Sequence, residues 1–290
     1  DPAGVYTYTV IGTPPCENET ATVTVILSPE PNAGTDGSVD LCVTSTPVDL
    51  FTLLGNNPDT NGTWSPALAS GTGLFNPAVD PAGVYTYTVT GIAPCPNATA
   101  NVTVALNPQP IAGTSGTANL CATSPAVDLF TYLGGSPQTG GTWSPALASG
   151  TGVFNPTIDP AGVYTYTVLG IAPCPNQSAT VTISINPQPN PGTNGSVTLC
   201  NTSVPVDLFT LLGGTPDVGG TWSPALLSGT SEFIPGFDAP GVYTYTLPGI
   251  APCPDVSATV TVTVNTEPSA GTNSTILVCT TGAPIDLYLQ

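Results

Sequence analysis

The chain of 290 residues contains no lysine, arginine, histidine or methionine, and each absence removes a class of chemistry. Without Lys or Arg nothing can neutralise phosphates, and 18 Asp and Glu residues give a net charge of −18 that repels nucleic acid and anionic membranes. Salt bridges between side chains cannot form. The usual general bases, imidazole metal ligands and Schiff-base amines are missing, so catalysis would have to rest on carboxylates, hydroxyls or thiols, and a non-enzymatic role is expected. Trypsin-like proteases find no side chain to cut after. No apolar run is long enough to span a bilayer as a helix, and no charged leader precedes one, so neither anchor nor signal peptide is expected within these residues.

What is present is a repeat. Gly-Val-Tyr-Thr-Tyr begins at Gly4, Gly83, Gly162 and Gly241, and the tryptophan of Gly-Thr-Trp-Ser-Pro falls at Trp64, Trp143 and Trp222, always 79 apart. A fixed period of this length marks an array of similar domains. The 32 Gly and 34 Pro do not signal disorder, because they punctuate short alternating runs such as Ala-Thr-Val-Thr-Val, where turns need them. Proline-rich segments, Leu27-Ser28-Pro29-Glu30-Pro31 and Leu106-Asn107-Pro108-Gln109-Pro110 among them, stop sheet pairing and stiffen the connection, so they read as linkers. They place domains at 29–107, 108–186 and 187–265. Residues 1–28 then correspond to the last two strands of a truncated copy, and 266–290 to the first two of another. The array is expected to continue beyond both ends.

Within 29–107, strands are predicted over 38–43, 48–54, 62–65, 84–89 and 98–106, with irregular chain between Ser65 and Val84. The last two form a hairpin, in which Tyr85, Tyr87 and Val89 alternate with Val84, Thr86 and Thr88. The Tyr face is predicted to be the core, with Trp64 at its centre and Trp143 and Trp222 equivalent to it. Several short strands, one central Trp and a Gly-x-Tyr strand before the last hairpin describe an all-β array of immunoglobulin-like sandwiches. The segments Asn32-Ala33-Gly34-Thr35-Asp36 to Leu41-Cys42, Thr63-Trp64-Ser65-Pro66, Pro81-Ala82-Gly83-Val84-Tyr85-Thr86-Tyr87-Thr88-Val89 and Ala98-Thr99-Ala100-Asn101-Val102-Thr103-Val104 resemble the PKD-like and Ig-like repeats of large Bacteroidetes cell-surface adhesins. Gliding adhesins of the SprB type belong to that group. The chain lacks the Trp-Asp-Phe-Gly-Asp-Gly segment of the PKD pattern. The resemblance implies an extracellular, surface-attached structural protein of cell adhesion and gliding motility.

Eight cysteines fall in two series, Cys16, Cys95, Cys174, Cys253 and Cys42, Cys121, Cys200, Cys279. With no Cys-x-x-Cys and no His to complete a zinc site, disulfides in an oxidising compartment are expected. In an Ig-like sandwich the turn beside Cys42 lies at the C-terminal pole and the turn holding Cys95 at the N-terminal pole, about 25 Å away. A disulfide tolerates a Cα separation of only about 6 Å. This topology favours bonds between successive domains, Cys42–Cys174 and Cys121–Cys253, with Cys16 and Cys95 pairing upstream and Cys200 and Cys279 downstream. Bonds within one domain, Cys42–Cys95, Cys121–Cys174 and Cys200–Cys253, and free or inter-chain thiols remain alternatives.

Two acidic series recur, Asp49, Asp128, Asp207, Asp286 and Asp1, Asp80, Asp159, Asp238. Calcium at Asp49, Asp80, Asp128 or Asp159 is one use of them. The plainer one makes Asp80 an acceptor for amides of the following Pro-Ala-Gly turn and Asp49 a solvent-facing strand residue. No Asp-x-Asp-x-Asp-Gly loop occurs, and no other cofactor is expected. Asn-x-Ser/Thr triplets at Asn18, Asn61, Asn97 and Asn273 are glycan acceptors in form, though a Thr-rich chain produces such triplets by chance. The reading that fits best is a stalk or filament segment of a giant secreted repeat adhesin, giving reach, stiffness and protease resistance. Its partners would be neighbouring repeats of its own chain, identical chains in a filament, and glycans or proteins met at a tip elsewhere. The alternative is a multivalent array in which every domain binds carbohydrate or protein weakly and avidity does the rest.

Overall fold

Alternation of Tyr, Thr and Val with a period of two builds the whole molecule. The computed structural model describes residues 2–71 and 73–289; Asp1 of the acidic series lies outside them. A first antiparallel hairpin joins β1 (Gly4–Val10) to β2 (Glu19–Val25). The copy at 29–107 then supplies β3 (Gly37–Cys42), β4 (Val48–Asp49), β5 (Thr63–Ser65), β6 (Leu74–Phe75), β7 (Gly83–Val89) and β8 (Ala98–Asn107). The central copy repeats these as β9 (Gly116–Cys121), β10 (Val127–Asp128), β11 (Thr142–Ser144), β12 (Val153–Phe154), β13 (Gly162–Val168) and β14 (Gln177–Asn186). The third does so as β15 (Gly195–Cys200), β16 (Val206–Asp207), β17 (Thr221–Ser223), β18 (Glu232–Phe233), β19 (Gly241–Leu247) and β20 (Val256–Asn265).

One four-stranded sheet runs β3-β8-β7-β5, with β3 parallel to β8 and the other neighbours antiparallel. A two-stranded sheet, β4-β6, forms the opposite layer. The third copy has the same order, β15-β20-β19-β17 and β16-β18. The fold is an all-β tandem array of immunoglobulin-like sandwiches with a reduced second sheet. By density of contact the chain divides into two units, one of residues 1–117, 128–152 and 163–182, the other of 118–127, 153–162 and 183–290. Each holds one entire copy and part of the central one.

Tyr85, Tyr87 and Val89 are buried, while Val84 of the same strand is exposed, so the Tyr face is the core face. The centre is not the tryptophan. Leu50, Phe75 and Val102 have no exposed surface, Phe75 meets the Tyr85 ring edge-on at 5.5 Å, and Trp64 is only half-buried against Tyr87. The reason is topological: β5 is the outer strand of its sheet, and a partner layer of two short strands cannot cover it. The third copy repeats this arrangement with Leu208, Phe233, Val260 and the half-buried Trp222.

Two expectations for the middle of the domain are corrected. The run 48–54 is a strand only at Val48–Asp49, after which Leu50–Leu53 turn into a 3-10 helix. Asp49 causes the change: its carboxylate accepts from Phe51 N at 3.0 Å, capping the turn that drives Leu50 into the core. The segment after Ser65 is not wholly irregular, since Leu74–Phe75 pair with β4. Residues 266–288 contain no strand at all, where two were expected, and only a 3-10 turn at Leu287–Leu289. In the first and third copies the corresponding strand pairs with the last strand of its own copy, β3 with β8 and β15 with β20, and no such partner stands beside these residues among those described.

Two tyrosine hydroxyls per copy pin the loops. Tyr85 Oη donates to Pro81 O at 2.8 Å, and Tyr243 Oη to Ala239 O at 2.7 Å, the tyrosine corner of this fold. Tyr87 Oη donates to Asp59 O at 2.6 Å and accepts from Gly62 N at 2.8 Å. Gly62 must be glycine, because a Cβ there would run into the Tyr87 ring. Burial raises the Tyr85 and Tyr243 phenols above their ordinary value of 10.0, and the Asp80 and Asp238 carboxylates add to the shift. Keeping them neutral contributes stability that is complete below pH 10.0, the unfolded value. It is lost as pH rises above that value, because the unfolded chain ionises first. Urea midpoints should therefore fall between about pH 9 and about pH 11, and fall less in a Tyr85→Phe, Tyr243→Phe chain.

Candidate functional site

The parallel pairing of β3 with β8 brings Cys42, the last residue of β3, level with Asn107, the last of β8. Both therefore stand where the chain leaves its own domain. The opposite pole carries the β7–β8 turn, and in the central copy the equivalent turn between β13 and β14 holds Cys174. Gly170 makes that turn possible, since a Cβ there would collide with the carbonyl oxygen of Cys174. The turn folds back on the glycine and aims the thiol out of the domain.

At the first junction Cys42 is bonded to Cys174, with Cα atoms 4.9 Å apart and 132 residues between them in sequence. Around the bond, Val43 N donates to Asn107 O at 3.1 Å, and the Asn107 amide reaches Ala172 O at 2.8 Å. Thr44 Oγ1 donates to Gln109 Oε1 at 3.0 Å, and Gln109 Nε2 to Pro175 O at 3.3 Å. The second junction uses the same parts. Cys121 is bonded to Cys253 over the same separation of 132 residues, Asn186 Nδ2 donates to Ala251 O at 2.8 Å, and Gln188 Nε2 donates to Pro254 O at 3.0 Å. Each linker Asn and Gln thus binds the turn of the next copy while its neighbours continue the strand behind it.

The alternative bonds within one copy are not formed, because Cys174 and Cys253 are engaged with the preceding copy, and Cys95 and Cys200 are free. Cys16 and Cys279 are free as well. Cys95 Sγ lies 3.6 Å from Ser28 O, the place that Cys174 Sγ holds 3.3 Å from Asn107 O. Cys200 N donates to Ser203 Oγ at 2.9 Å, as Cys42 N does to Ser45 Oγ at 3.0 Å. The Cys200 thiol is pulled below the usual cysteine range by hydrogen bonds from Thr202, side chain first, and the Cys279 thiol by those from Thr281, backbone first.

The acidic residues are spent on backbone amides. Asp80, only 4% exposed, accepts from Ala69 N and Asn76 N, each at 2.8 Å, and not from the turn that follows it. Asp238 does the same with Leu227 N and Ile234 N, and Asp159 accepts from Asn155 N at 2.8 Å. Two amide donors are what a buried carboxylate needs when no cation is within the chain. Asp128 and Asp207 cap Phe130 N and Phe209 N, so this series is a set of turn caps and not of free strand residues. Among the described residues no group of three or more Cys, Asp or Glu side chains is placed to hold a metal ion. No helix among them is long and apolar enough to cross a membrane.

The linker residues Asn107, Gln109, Asn186 and Gln188 escaped notice as junction contacts because proline accounts for the stiffness of those segments. The signal was their recurrence: a stiff linker requires the prolines of Asn-Pro-Gln-Pro, but not its Asn and Gln, at the same spacing.

No protein-family description matches the chain, and no curated protein matches it. Among solved structures, the I-band fragment I67–I69 of titin is 14% identical over 80% of this chain and 97% of its own, with a TM-score of 0.42. Immunoglobulin domains 1–5 of Sidekick-1 are 13% identical, over 91% and 67% of the two chains, with a TM-score of 0.30. Extracellular domains 3–5 of Drosophila OTK are 16% identical, over 81% and 97%, with a TM-score of 0.32. At these values the likeness adds nothing to what the sheet order of each copy establishes.

Proposed function

We propose that this chain is a load-bearing segment of a giant secreted, surface-attached repeat adhesin, whose binding tip lies elsewhere. The observation that carries the reading is the junction: successive copies are joined by the peptide linker and again by a disulfide 132 residues apart. Disulfides fit an oxidising, extracellular setting. The absence of Lys and Arg fits long exposure to proteases. The Ig-like tandem fold supports a structural and adhesive role in this reading. Cys16 and Cys95 pair with repeats upstream, and Cys200 and Cys279 with repeats downstream, so the ladder of bonds continues along the protein. Neighbouring repeats are then its main partners. Exposed sheet edges permit identical chains to lie side by side in a filament, and the resemblance to gliding adhesins supports a surface-attached filament in this reading.

In-frame removal of one 79-residue unit from the full-length protein, with attachment and reach measured separately, tests the reading. A load-bearing role predicts shorter reach, seen by electron microscopy of the native material, with attachment unchanged. A fall in attachment in proportion to the units removed would favour the multivalent reading. One observation speaks for that second reading: Trp64, Trp143 and Trp222 are half-buried at the same place in every copy and line an open cleft.

A further inference from the structure

In the first copy the cleft has a volume of about 510 Å³ and is walled by Phe51, Trp64 and Tyr87, with Asp49 in its lining. The two larger rings are tilted together at 5.1 Å, and Phe51 meets Tyr87 edge-on at 5.5 Å. Glycines on the facing loop, Gly71 and Gly73, leave the mouth open. The central copy offers a cleft of about 510 Å³ with Trp143, Tyr166 and Asp128, and the third one of about 470 Å³ with Trp222 and Tyr245. Asp207 holds the equivalent capping position in the third copy and pairs across β16–β18 with Glu232. No cysteine lines any of the clefts, and nothing in the load-bearing reading calls for them.

The lining selects the sign of the ligand. An anion would enter an aromatic wall beside a carboxylate on a chain of net charge −18, which is repulsive at short and long range. A cation meets the negative face of an indole, a nearby carboxylate and a favourable long-range field together. The chain has no Lys, Arg or His of its own to occupy such a place, so the occupant has to come from another molecule. We propose that each Trp cleft binds an arginine side chain presented by a basic polypeptide segment of a partner protein. A planar guanidinium stacks on the indole while its N–H groups face the carboxylate. Three sites one repeat apart let weak single contacts add through avidity.

The chain has three tryptophans, one per cleft, so the three indole N–H signals in a nitrogen-15 correlation spectrum report the sites separately. Titration of the whole chain with the tripeptide Gly-Arg-Gly should shift all three saturably. Gly-citrulline-Gly, of the same shape without the charge, should bind about tenfold more weakly. In an Asp49→Asn chain the Trp64 signal alone should need a several-fold higher peptide concentration. Asn still caps the turn, and the Trp143 and Trp222 signals confirm that the rest of the chain is unaltered. Absence of a saturable shift, an equal response to citrulline, or an Asp49→Asn chain whose three signals respond alike would each overturn the proposal. So would shifts produced by a neutral oligosaccharide such as cellobiose and not by the arginine peptide.

Discussion

Stretched from its ends, the oxidised chain should reach its limit about 530 Å short of the length attained once both disulfides are reduced, at roughly 3.4 Å per extended residue. Each bond lets the covalent path skip 132 residues. The two loops overlap, so the shortest path crosses Cys42–Cys174, runs back along the chain to Cys121 and crosses to Cys253, and the second bond therefore adds little to the length that one bond already hides. Cys42→Ser alone, or Cys121→Ser alone, should therefore lengthen the limit by only about 90 Å, and only the double variant should release the rest of the hidden length. Single-molecule force extension in oxidising and reducing buffer measures all four cases. A single variant that gains the full extension would show that the remaining bond is not formed.

Replacing Phe75 by Ala should destabilise the copy at 29–107 by about 3–5 kcal/mol, the cost of emptying a fully buried aromatic site. A small domain has only about 5–15 kcal/mol in all, so this copy should open far more readily while the third copy keeps its protection. Trp64→Ala should cost less, about 2 kcal/mol, because part of the indole already faces water. Hydrogen exchange resolved along the chain separates the copies and ranks the two substitutions. If Trp64→Ala proves the more damaging, the core is centred on the outer strand and the packing described for Phe75, Tyr85 and Leu50 is wrong.

That ranking marks where the sequence stops being readable. The Tyr face of β7 and its hairpin with β8 follow from period-two alternation, because a strand can bury only one side. The size of an indole suggests a central place, but strand order decides it, and the order that puts β5 outermost is a long-range property. The same holds at Asp49. The run from Val48 to Leu54 has strand composition, yet one carboxylate able to cap its own turn ends the strand after two residues. Asp80 is a local case with a non-local answer: the adjacent turn was the obvious source of amides, but one of its donors, Ala69, is eleven residues back. At the junction, the poles on which Cys42 and Cys174 sit could be placed from fold class alone. The Asn107 and Gln109 contacts are marked in the sequence only by the recurrence of Asn and Gln one repeat later, and recurrence does not say which turn they bind.

The overlap of the two disulfide loops also governs what happens when the backbone is cut. Any one break between residues 42 and 253 leaves the two ends covalently connected, because the remaining chain and one bond still form a route around the gap. Two breaks do no more than free a short piece. Severing the molecule takes three, one in each of the stretches 42–121, 121–174 and 174–253. In the proposed load-bearing role, proteolytic damage would have to accumulate in three places before the connection is lost.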